Sequence, residues 1–356
     1  MLARPSLRSI HAEEPVRPLS TDEWIRWRAE KAPLALTFRG STAEECRKWQ
    51  GVFAAKLRSL LGPHAPPSKW KTVVSQVVDL KDHRREELVL EAEGHAPLPV
   101  YLLLPRRQSA KASAGVLALH GHGAFGYHPV AGRDDLCGVA KEIKDLHYDY
   151  GRQLARRGYV VAVPCLTPFG PRLDNREAYG KQDPCADSFI RLSLLGKLLI
   201  AENLRDCLWA LDLLARDARV DAKRLGCVGL SYVGRMAMLT AALEPRIRVA
   251  VISGALNVMQ ERIAKPYSCG AQVIPGLLNY GDVPEIGSLI APRLAIWEVG
   301  MRDGLIAPGW ADEALARMRR AYGALGAGER LVVDRFDGGH VWGGRVAYSQ
   351  LEQVLG

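Results

Sequence analysis

The sequence predicts an α/β protein built on a central, mostly parallel β-sheet with helices on both faces. Short apolar runs typical of buried strands alternate with longer segments of helical periodicity. The strand runs are 116–119, 159–163, 225–228, 249–252, 294–299 and 330–336. Parallel strands need a crossover between them, so this alternation favours a parallel sheet. Ligands bind such sheets at the carboxyl ends of the strands, where we expect any catalytic residue to lie.

Further elements surround this parallel region. Upstream, runs rich in β-branched residues predict antiparallel strands at 72–78, 88–90 and 100–104. Apolar residues three or four positions apart predict three of the covering helices. These residues are Val139, Ile143, Leu146, Tyr150 and Leu154; Ile200, Leu204, Leu208 and Leu211; and Ala314, Met318 and Tyr322. Two stretches rich in Pro and Gly, 167–199 and 256–289, are interpreted as lid-like insertions.

The beginning of the chain predicts a helical extension rather than a second domain of equal size. Ser20 precedes one amphipathic segment, and a second such segment ends at the stop signal Gly62-Pro63. A proline-rich stretch follows and marks the boundary. We therefore expect an N-terminal helical extension over 1–68 and a catalytic domain over 69–356.

The composition and charge of the chain argue against two classes of binding partner, nucleic acids and membranes. The chain has 356 residues, of which 48% are hydrophobic and 24% charged, as is typical of a globular protein. Its net charge of +9 is spread along the sequence without a long basic run, so we expect no nucleic-acid partner. No stretch reaches the roughly 20 apolar residues of a membrane span, so we expect no membrane partner. A small-molecule substrate is the expected partner, and the sequence is compatible with a homo-oligomer.

The cysteines and the N-terminus indicate the compartment. The seven cysteines are odd in number and form no CxxC pair, which predicts free thiols in a reducing compartment. The stretch 1–15 lacks the apolar core of a signal peptide. We therefore expect a cytoplasmic protein.

Ser231 is a candidate nucleophile. It stands in the motif GLSYVG at 229–234, after one strand run and before a helical segment. A serine in such a strand-to-helix turn projects its hydroxyl above the sheet at the positive end of a helix. Glycine-flanked serines also occur in structural turns, so the partners of Ser231 decide between the two interpretations.

Asp303 and His340 are the candidate partners of the serine. Each follows a strand run, and the order Ser, Asp, His along the chain is typical of folds with such a nucleophile turn. A serine hydroxyl is a weak nucleophile at neutral pH, so His340 would take its proton while Asp303 holds the imidazole in the required tautomer. Glu298 is the reserve acid. The structural alternative is that Asp303 and His340 only form turns.

The turn His120-Gly121-His122-Gly123, which follows the first parallel strand run, predicts an oxyanion hole. Acyl transfer passes through a tetrahedral oxyanion that needs fixed donors, and glycines let backbone amides point inward. We expect the N–H groups of His122 and Tyr232 to be the donors. Paired histidines also suggest zinc, but no convincing thiol or carboxylate stands near them in the sequence, so we expect no metal and no cofactor.

Several residues of the turns and loops are expected to line the substrate pocket, because loops above the strand ends carry binding residues in such folds. They are His120, Gly121, Gly123, Tyr127, His128, Arg172, Tyr267 and Trp342. Their order around the substrate does not follow from the sequence.

From about residue 85 to its end, the chain resembles the α/β-hydrolase superfamily, and within it the dienelactone hydrolase and acetyl xylan esterase-like branch. The motifs that carry the resemblance are LHGHG at 119–123, GLSY at 229–232 and GMRDG at 300–304. The resemblance implies a cofactor-free serine esterase that hydrolyses small carboxylic esters through an acyl-enzyme. For the substrate, it implies acetylated sugars or other acetylated small molecules.

One position departs from the nucleophile-turn pattern. Glycine is expected two residues after the serine, but Val233 occupies this position and Gly234 follows, which suggests an opened turn or an altered neighbour. The spacing Gly-x-Ser-x-x-Gly also resembles glucuronoyl esterases, in which arginine is typical where this chain has Tyr232. That branch, a prolyl-oligopeptidase-like peptidase or amidase, and a non-catalytic binding protein on the same scaffold are the alternatives.

Overall fold

The computed structural model describes residues 20–106, 111–173, 183–264 and 269–356. The strands are β1 (Lys71–Asp79), β2 (His83–Glu91), β3 (Leu98–Pro105), β4 (Ser113–Leu119), β5 (Val160–Pro164), β6 (Val220–Leu230), β7 (Ile247–Ser253), β8 (Leu294–Gly300) and β9 (Leu331–Phe336). They form one sheet in the order β1-β2-β3-β5-β4-β6-β7-β8-β9. The pairs β1–β2, β2–β3 and β3–β5 are antiparallel, and the other neighbours are parallel. The predicted strands and the mostly parallel sheet are confirmed.

Helices cover both faces of the sheet. They are α1 (Thr21–Glu30), α2 (Ala43–Leu61), α3 (Val139–Leu146), α4 (Tyr150–Arg156), α5 (Pro184–Leu194), α6 (Leu199–Arg216), α7 (Tyr232–Leu243), α8 (Met259–Ala264), α9 (Val283–Ser288), α10 (Pro308–Ala324) and α11 (Ala347–Leu355). Side chains alternate across each strand, so Leu117 and Leu119 of β4 join one buried cluster with α6 and α7, whereas Val116 joins a second with α4 and α11. Among the described residues, no helix is long and apolar enough to cross a membrane.

The region expected to be one helix around residue 146 is two helices. α3 ends at Leu146, and His147 adopts a left-handed conformation with φ 53° before α4 begins. The apolar periodicity continues across this break because Leu146 and Leu154 pack on the same side of the sheet. The break also buries Tyr148, whose hydroxyl reaches the turn after β4.

The two stretches interpreted as lid-like insertions contain helices that periodicity did not reveal. α5 lies in the first stretch, while α8 and α9 lie in the second. Each of these helices has 11 residues or fewer, which leaves little sequence over which a helical period can be recognised. A role as lids stays a prediction.

The N-terminal extension packs on the sheet domain. Both of its helices begin with a capping box, formed by Ser20 in α1 and Thr42 in α2. Phe53, Leu57 and Leu61 of α2 are buried in the same cluster as side chains of β2 and β3. The extension and the sheet domain therefore share a hydrophobic core.

Candidate active site

Ser231 lies in a sharp turn between β6 and α7. Its backbone has φ 69° and ψ −130°, a conformation that costs free energy in any residue with a side chain. The N–H of Ser231 donates to the carbonyl oxygen of Ser253 at 2.9 Å, which fixes the turn against the end of β7. Ser231 is partly exposed, whereas Leu230 and Tyr232 on either side are buried. This is the strand-turn-helix geometry that the motif predicts.

Two glycines make the turn sterically feasible. A Cβ on Gly229 would lie 2.6 Å from the main-chain carbon of Val233, and a Cβ on Gly234 would lie 2.5 Å from the oxygen of Ser253. Val233 itself is fully buried in the core. α7 therefore packs closely on the end of β7 at Gly234, one residue later than the glycine of the usual pattern, while the side chain of Val233 packs in the core.

His340 and Asp303 meet above the carboxyl ends of their strands. Nδ1 of His340, in the loop after β9, lies 2.7 Å from Oδ2 of Asp303, in the loop after β8. The second carboxylate oxygen accepts the N–H of Leu305 at 2.9 Å. Because Asp303 is buried and held at both oxygens, it can orient the imidazole.

The imidazole lies beside the strand that carries Ser231. A Cβ on Gly254, directly after β7, would lie 3.0 Å from Cε1 of His340 and 3.1 Å from Cδ1 of Leu230. Nε2 of His340 is buried and has no hydrogen-bond partner among the described residues. Oγ of Ser231 therefore forms no hydrogen bond with this nitrogen in the structure, although the imidazole lies near the end of β6. The catalytic roles of Ser231, His340 and Asp303 stay predictions.

Glu298, the reserve acid, has a different set of partners. Its carboxylate accepts the N–H groups of Gly343 at 3.2 Å and Gly344 at 2.7 Å, in the chain that follows His340. The side chain is fully buried, and burial raises its pKa to about 7. Asp303, and not Glu298, is therefore the acid that contacts the histidine, while Glu298 anchors the segment beyond it.

The turn after β4 packs directly against the nucleophile turn. A Cβ on Gly121 would lie 3.0 Å from the oxygen of Leu230 and 3.4 Å from Cβ of Ser231. The N–H of Gly121 is occupied, since it donates to the hydroxyl of Tyr148. The next N–H, that of His122, stays the predicted oxyanion donor.

Tyr232 offers the second predicted donor. It is the first residue of α7, and N–H groups in the first turn of a helix have no intrahelical acceptor. Its ring is buried, and its hydroxyl oxygen accepts a hydrogen bond from Nδ2 of Asn203 at 2.7 Å. This anchor holds the start of α7 beside Ser231.

His120 is a buried residue whose ring connects the turn after β4 to the chain after β5. Its ring is fully buried, Nε2 accepts the N–H of Leu166 at 2.9 Å, and Nδ1 donates to the oxygen of Gly121 at 3.0 Å. Burial lowers its pKa to about 3, so the ring is neutral. With both nitrogens engaged, His120 has no free group for the substrate contact that we expected.

Tyr127 and Trp342 also lie in the core instead of on a pocket wall. Tyr127 stacks on Tyr101 at 4.3 Å between ring centroids, and Trp342 stacks on Tyr150 at 4.4 Å. Both are less than a tenth exposed. The expectation of substrate contact followed from their positions in loops, but the loops fold these aromatic rings inward, because burying them removes a large apolar area from water.

The other residues that we expected to line the pocket differ in their surroundings. Nδ1 of His128 contacts the hydroxyl of Tyr101 at 2.9 Å, and Arg172 donates to buried Asp206 at 2.5 Å. A Cβ on Gly123 would lie 2.8 Å from Oε1 of partly exposed Glu142. Tyr267 lies outside the described residues. Gly123 therefore lies against α3, and His128 and Arg172 are engaged by neighbours, so that of these expected residues Gly121 is the one shown to contact the turn of Ser231.

The side chain of His122 contacts two cysteines that sequence analysis did not connect with it. Nε2 lies 2.8 Å from Sγ of Cys269, and the ligand atoms of His122, Cys185 and Cys269 all lie within 4.8 Å of one another. A hydrogen bond with Cys185, and then one with His122, lowers the pKa of Cys269. We expected no metal because no ligand stood near His122 in the sequence. The fold supplies two, so that reason does not hold.

The sheet order, the nucleophile turn and the loops after β8 and β9 define the α/β-hydrolase fold. A crystal structure described as a "putative acetyl xylan esterase (BF1801)" from Bacteroides fragilis NCTC 9343 matches with TM-score 0.75 at 17% identity, over 90% of this chain and 83% of that chain. A glucuronoyl esterase from Solibacter usitatus matches with TM-score 0.63 at 16% identity, over 87% of this chain and 93% of that chain. The predicted fold class is confirmed.

A curated relative is similar in sequence. The chain is 28% identical over 291 residues to the Bacillus subtilis (strain 168) protein named "Putative hydrolase YtaP", which covers 80% of this chain and 92% of that relative. No protein-family model matches the chain. The expected resemblance to the hydrolase superfamily and to its acetyl xylan esterases agrees with these similarities.

Proposed function

We propose that this protein is a serine esterase that hydrolyses carboxylic esters of small molecules. The observation that carries the proposal is the 2.7 Å contact between His340 and Asp303, with Nε2 of the same imidazole unpaired at the strand end that leads into Ser231. The similarity to a hydrolase in sequence and to esterases in structure supports the proposal.

In the proposed reaction, Oγ of Ser231 attacks the ester carbonyl and its proton passes to Nε2 of His340. Asp303 accepts the hydrogen bond from Nδ1 and stabilises the imidazolium. The tetrahedral intermediate then collapses, and His340 returns the proton to the departing alcohol. Water attacks the acyl-enzyme by the same route, which releases the acid and restores Ser231.

The oxyanion of each intermediate would be held by the N–H groups of His122 and Tyr232. Tyr148 engages the N–H of Gly121, and Asn203 holds the Tyr232 ring, so the backbone around both donors is fixed before the substrate arrives. Donors that are fixed in advance stabilise developing charge without a reorganisation cost.

Acetyl esters of sugars or other small molecules are the proposed substrate class. The acetyl xylan esterase similarity and the dienelactone hydrolase-like motifs support this choice. A methyl glucuronate ester is the second candidate, favoured by the Gly-x-Ser-x-x-Gly spacing and by the glucuronoyl esterase similarity. Turnover of p-nitrophenyl esters of increasing chain length, acetylated sugars and methyl glucuronates, measured side by side, would rank the two.

A fluorophosphonate probe tests the mechanism. The wild-type protein should be labelled, and Ser231→Ala should lose both the label and ester turnover by several orders of magnitude. Ser193→Ala, which changes an exposed serine of α5, is the matched control and should keep both. Labelling that persists in Ser231→Ala would show that the nucleophile is misassigned, and an unlabelled wild-type protein without turnover would favour a binding protein on this scaffold.

We propose a cytoplasmic location for the enzyme. The supporting observation is that all seven cysteines are free, which suits a reducing compartment. A small-molecule ester stays the proposed partner.

A further inference from the structure

We propose that His122, Cys185 and Cys269 form a binding site for a thiophilic divalent metal ion of the zinc class. Two thiolates and one imidazole are a ligand set that zinc uses in proteins, with a fourth position left for water. The three residues come from separate segments: the turn after β4, the first turn of α5, and the chain just before a short 3₁₀ helix at Gly270–Gln272. The three side chains are far apart in the sequence, and the fold brings them together.

The spacing of the ligand atoms fits a metal centre. Zinc binds sulfur at about 2.3 Å and nitrogen at about 2.0 Å, so tetrahedral ligands lie roughly 3.5 to 3.8 Å apart. The three atoms here lie within 4.8 Å of one another, with Nε2 of His122 and Sγ of Cys269 2.8 Å apart. Binding would require Nε2 of His122 and Sγ of Cys269 to separate by roughly 0.7 Å, a shift that small side-chain rotations can provide.

Surrounding groups hold the ligands in place. The ring of His122 packs against Phe169 at 5.4 Å and Tyr232 at 5.1 Å between centroids. Sγ of Cys269 accepts the N–H of Ala271 at 3.4 Å. Such outer contacts orient ligands in metal sites. The backbone of Gly270 also packs closely on Cys185, since a Cβ on Gly270 would lie 2.7 Å from the oxygen of Cys185.

The two cysteines are buried, and the histidine gives the cluster its contact with solvent. Cys185 and Cys269 are only 1% and 2% exposed, while His122 is partly exposed. The sulfurs are thus shielded from solvent, and an ion has a path along the histidine side. The same exposure would let water complete the coordination.

A bound ion would link the nucleophile region to both insertions. It would join the turn at 120–123 to α5 in the stretch 167–199 and to Cys269 in the stretch 256–289. This consequence rests on the proposed function, because the N–H of His122 is the proposed oxyanion donor. The ion would then position this donor without touching the ester.

Cobalt binding tests the site directly. Protein purified with a reductant and stripped with a chelator should bind one equivalent of Co²⁺, with a thiolate-to-cobalt charge-transfer band that Zn²⁺ abolishes. Cys269→Ser and Cys185→Ser should lose the band, and their Zn²⁺ affinity should fall by more than the ~10–100-fold expected for losing an outer-shell contact. Cys137→Ser, at an exposed cysteine, is the matched control and should bind like the wild type.

A second measurement needs no variant. In the wild-type protein, Zn²⁺ should slow alkylation of Cys185 and Cys269 but not of Cys137. The absence of both the cobalt band and this protection would overturn the proposal, as would a disulfide between Cys185 and Cys269 in the reduced preparation. Ser231→Ala should bind cobalt as the wild type does, because Ser231 is not a ligand. If the wild-type protein binds cobalt but hydrolyses no ester, the result counts against the proposed function and leaves the metal site standing.

Discussion

At the scale of single residues, two carboxylates near the end of β8 have separate environments. Asp303 is held by His340 and by the N–H of Leu305, whereas Glu298 is buried among the N–H groups of Gly343 and Gly344. Groups with such different surroundings can serve different purposes at one pH. Asp303 is placed to orient the imidazole of His340, and Glu298 is placed to anchor the loop.

Asp303→Asn should lower kcat for a p-nitrophenyl ester by about 10⁴-fold. The amide would hold His340 in the tautomer that cannot accept the serine proton. Asp337→Asn, in the same loop after β9 as His340 but exposed and paired with Arg302 at the surface, should stay close to wild type. A loss of tenfold or less in Asp303→Asn would show that another acid orients the histidine.

Glu298 should make the protein less stable as the pH rises from about 5 to 8. Burial raises its pKa in the folded protein from 4.5 to about 7, so the folded state binds more protons than the unfolded state over this interval. Folding stability must then fall with pH, by roughly 2–3 kcal/mol for this group. Urea unfolding of Glu298→Gln and wild type at both pH values should show the variant gaining this amount relative to wild type. Parallel pH profiles would refute the assignment.

At the scale of elements, the position of α7 depends on its close approach to β7. The contact falls at Gly234, where a Cβ would lie 2.5 Å from the oxygen of Ser253 and 3.0 Å from Cβ of Ala255. Because α7 begins directly after Ser231, a shift of this helix moves both Ser231, the proposed nucleophile, and the N–H of Tyr232. The packing of one helix on one strand therefore sets the geometry of the site.

Gly234→Ala should lower the free energy of unfolding by about 1–3 kcal/mol and reduce ester turnover, since the added methyl group pushes α7 from β7. Gly51→Ala, in the middle of α2 with open space around the new Cβ, is the matched control. It should raise stability by roughly 0.5–1 kcal/mol and leave turnover unchanged. Urea denaturation and initial rates measure both effects, and equal effects of the two substitutions would contradict this account.

At the scale of the whole molecule, the N-terminal extension and the sheet domain share one core. Leu57 of α2 is completely buried in the cluster that contains Leu90 of β2 and Leu102 of β3. A shared core couples the stability of both parts, whereas separate cores would let the extension unfold alone.

Leu57→Ala should lower the free energy of unfolding by about 2–5 kcal/mol, and the protein should still unfold in one transition. Circular dichroism and tryptophan fluorescence, followed in the same denaturant series, should give coincident curves. Two separated transitions in the wild type would mean that the extension is an independent unit.

Some site residues could be predicted from the sequence around them, and others depended on contacts with distant parts of the chain. Position after a strand identified Ser231, Asp303 and His340 as candidates, because strand ends are recognisable from short patterns. Position in a loop was a poor guide for Tyr127 and Trp342, since the direction in which a loop folds its side chains depends on what packs against it.

The sequence by itself determined the strands, the parallel sheet and the nucleophile turn, because hydrophobic periodicity and glycine placement act over a few neighbouring residues. Only the tertiary structure decided that His120 is a buried support and that His122 meets Cys185 and Cys269. Those contacts join segments up to 147 residues apart, for His122 and Cys269. No local pattern encodes them, since they arise when the sheet brings distant strand ends and insertions to one edge.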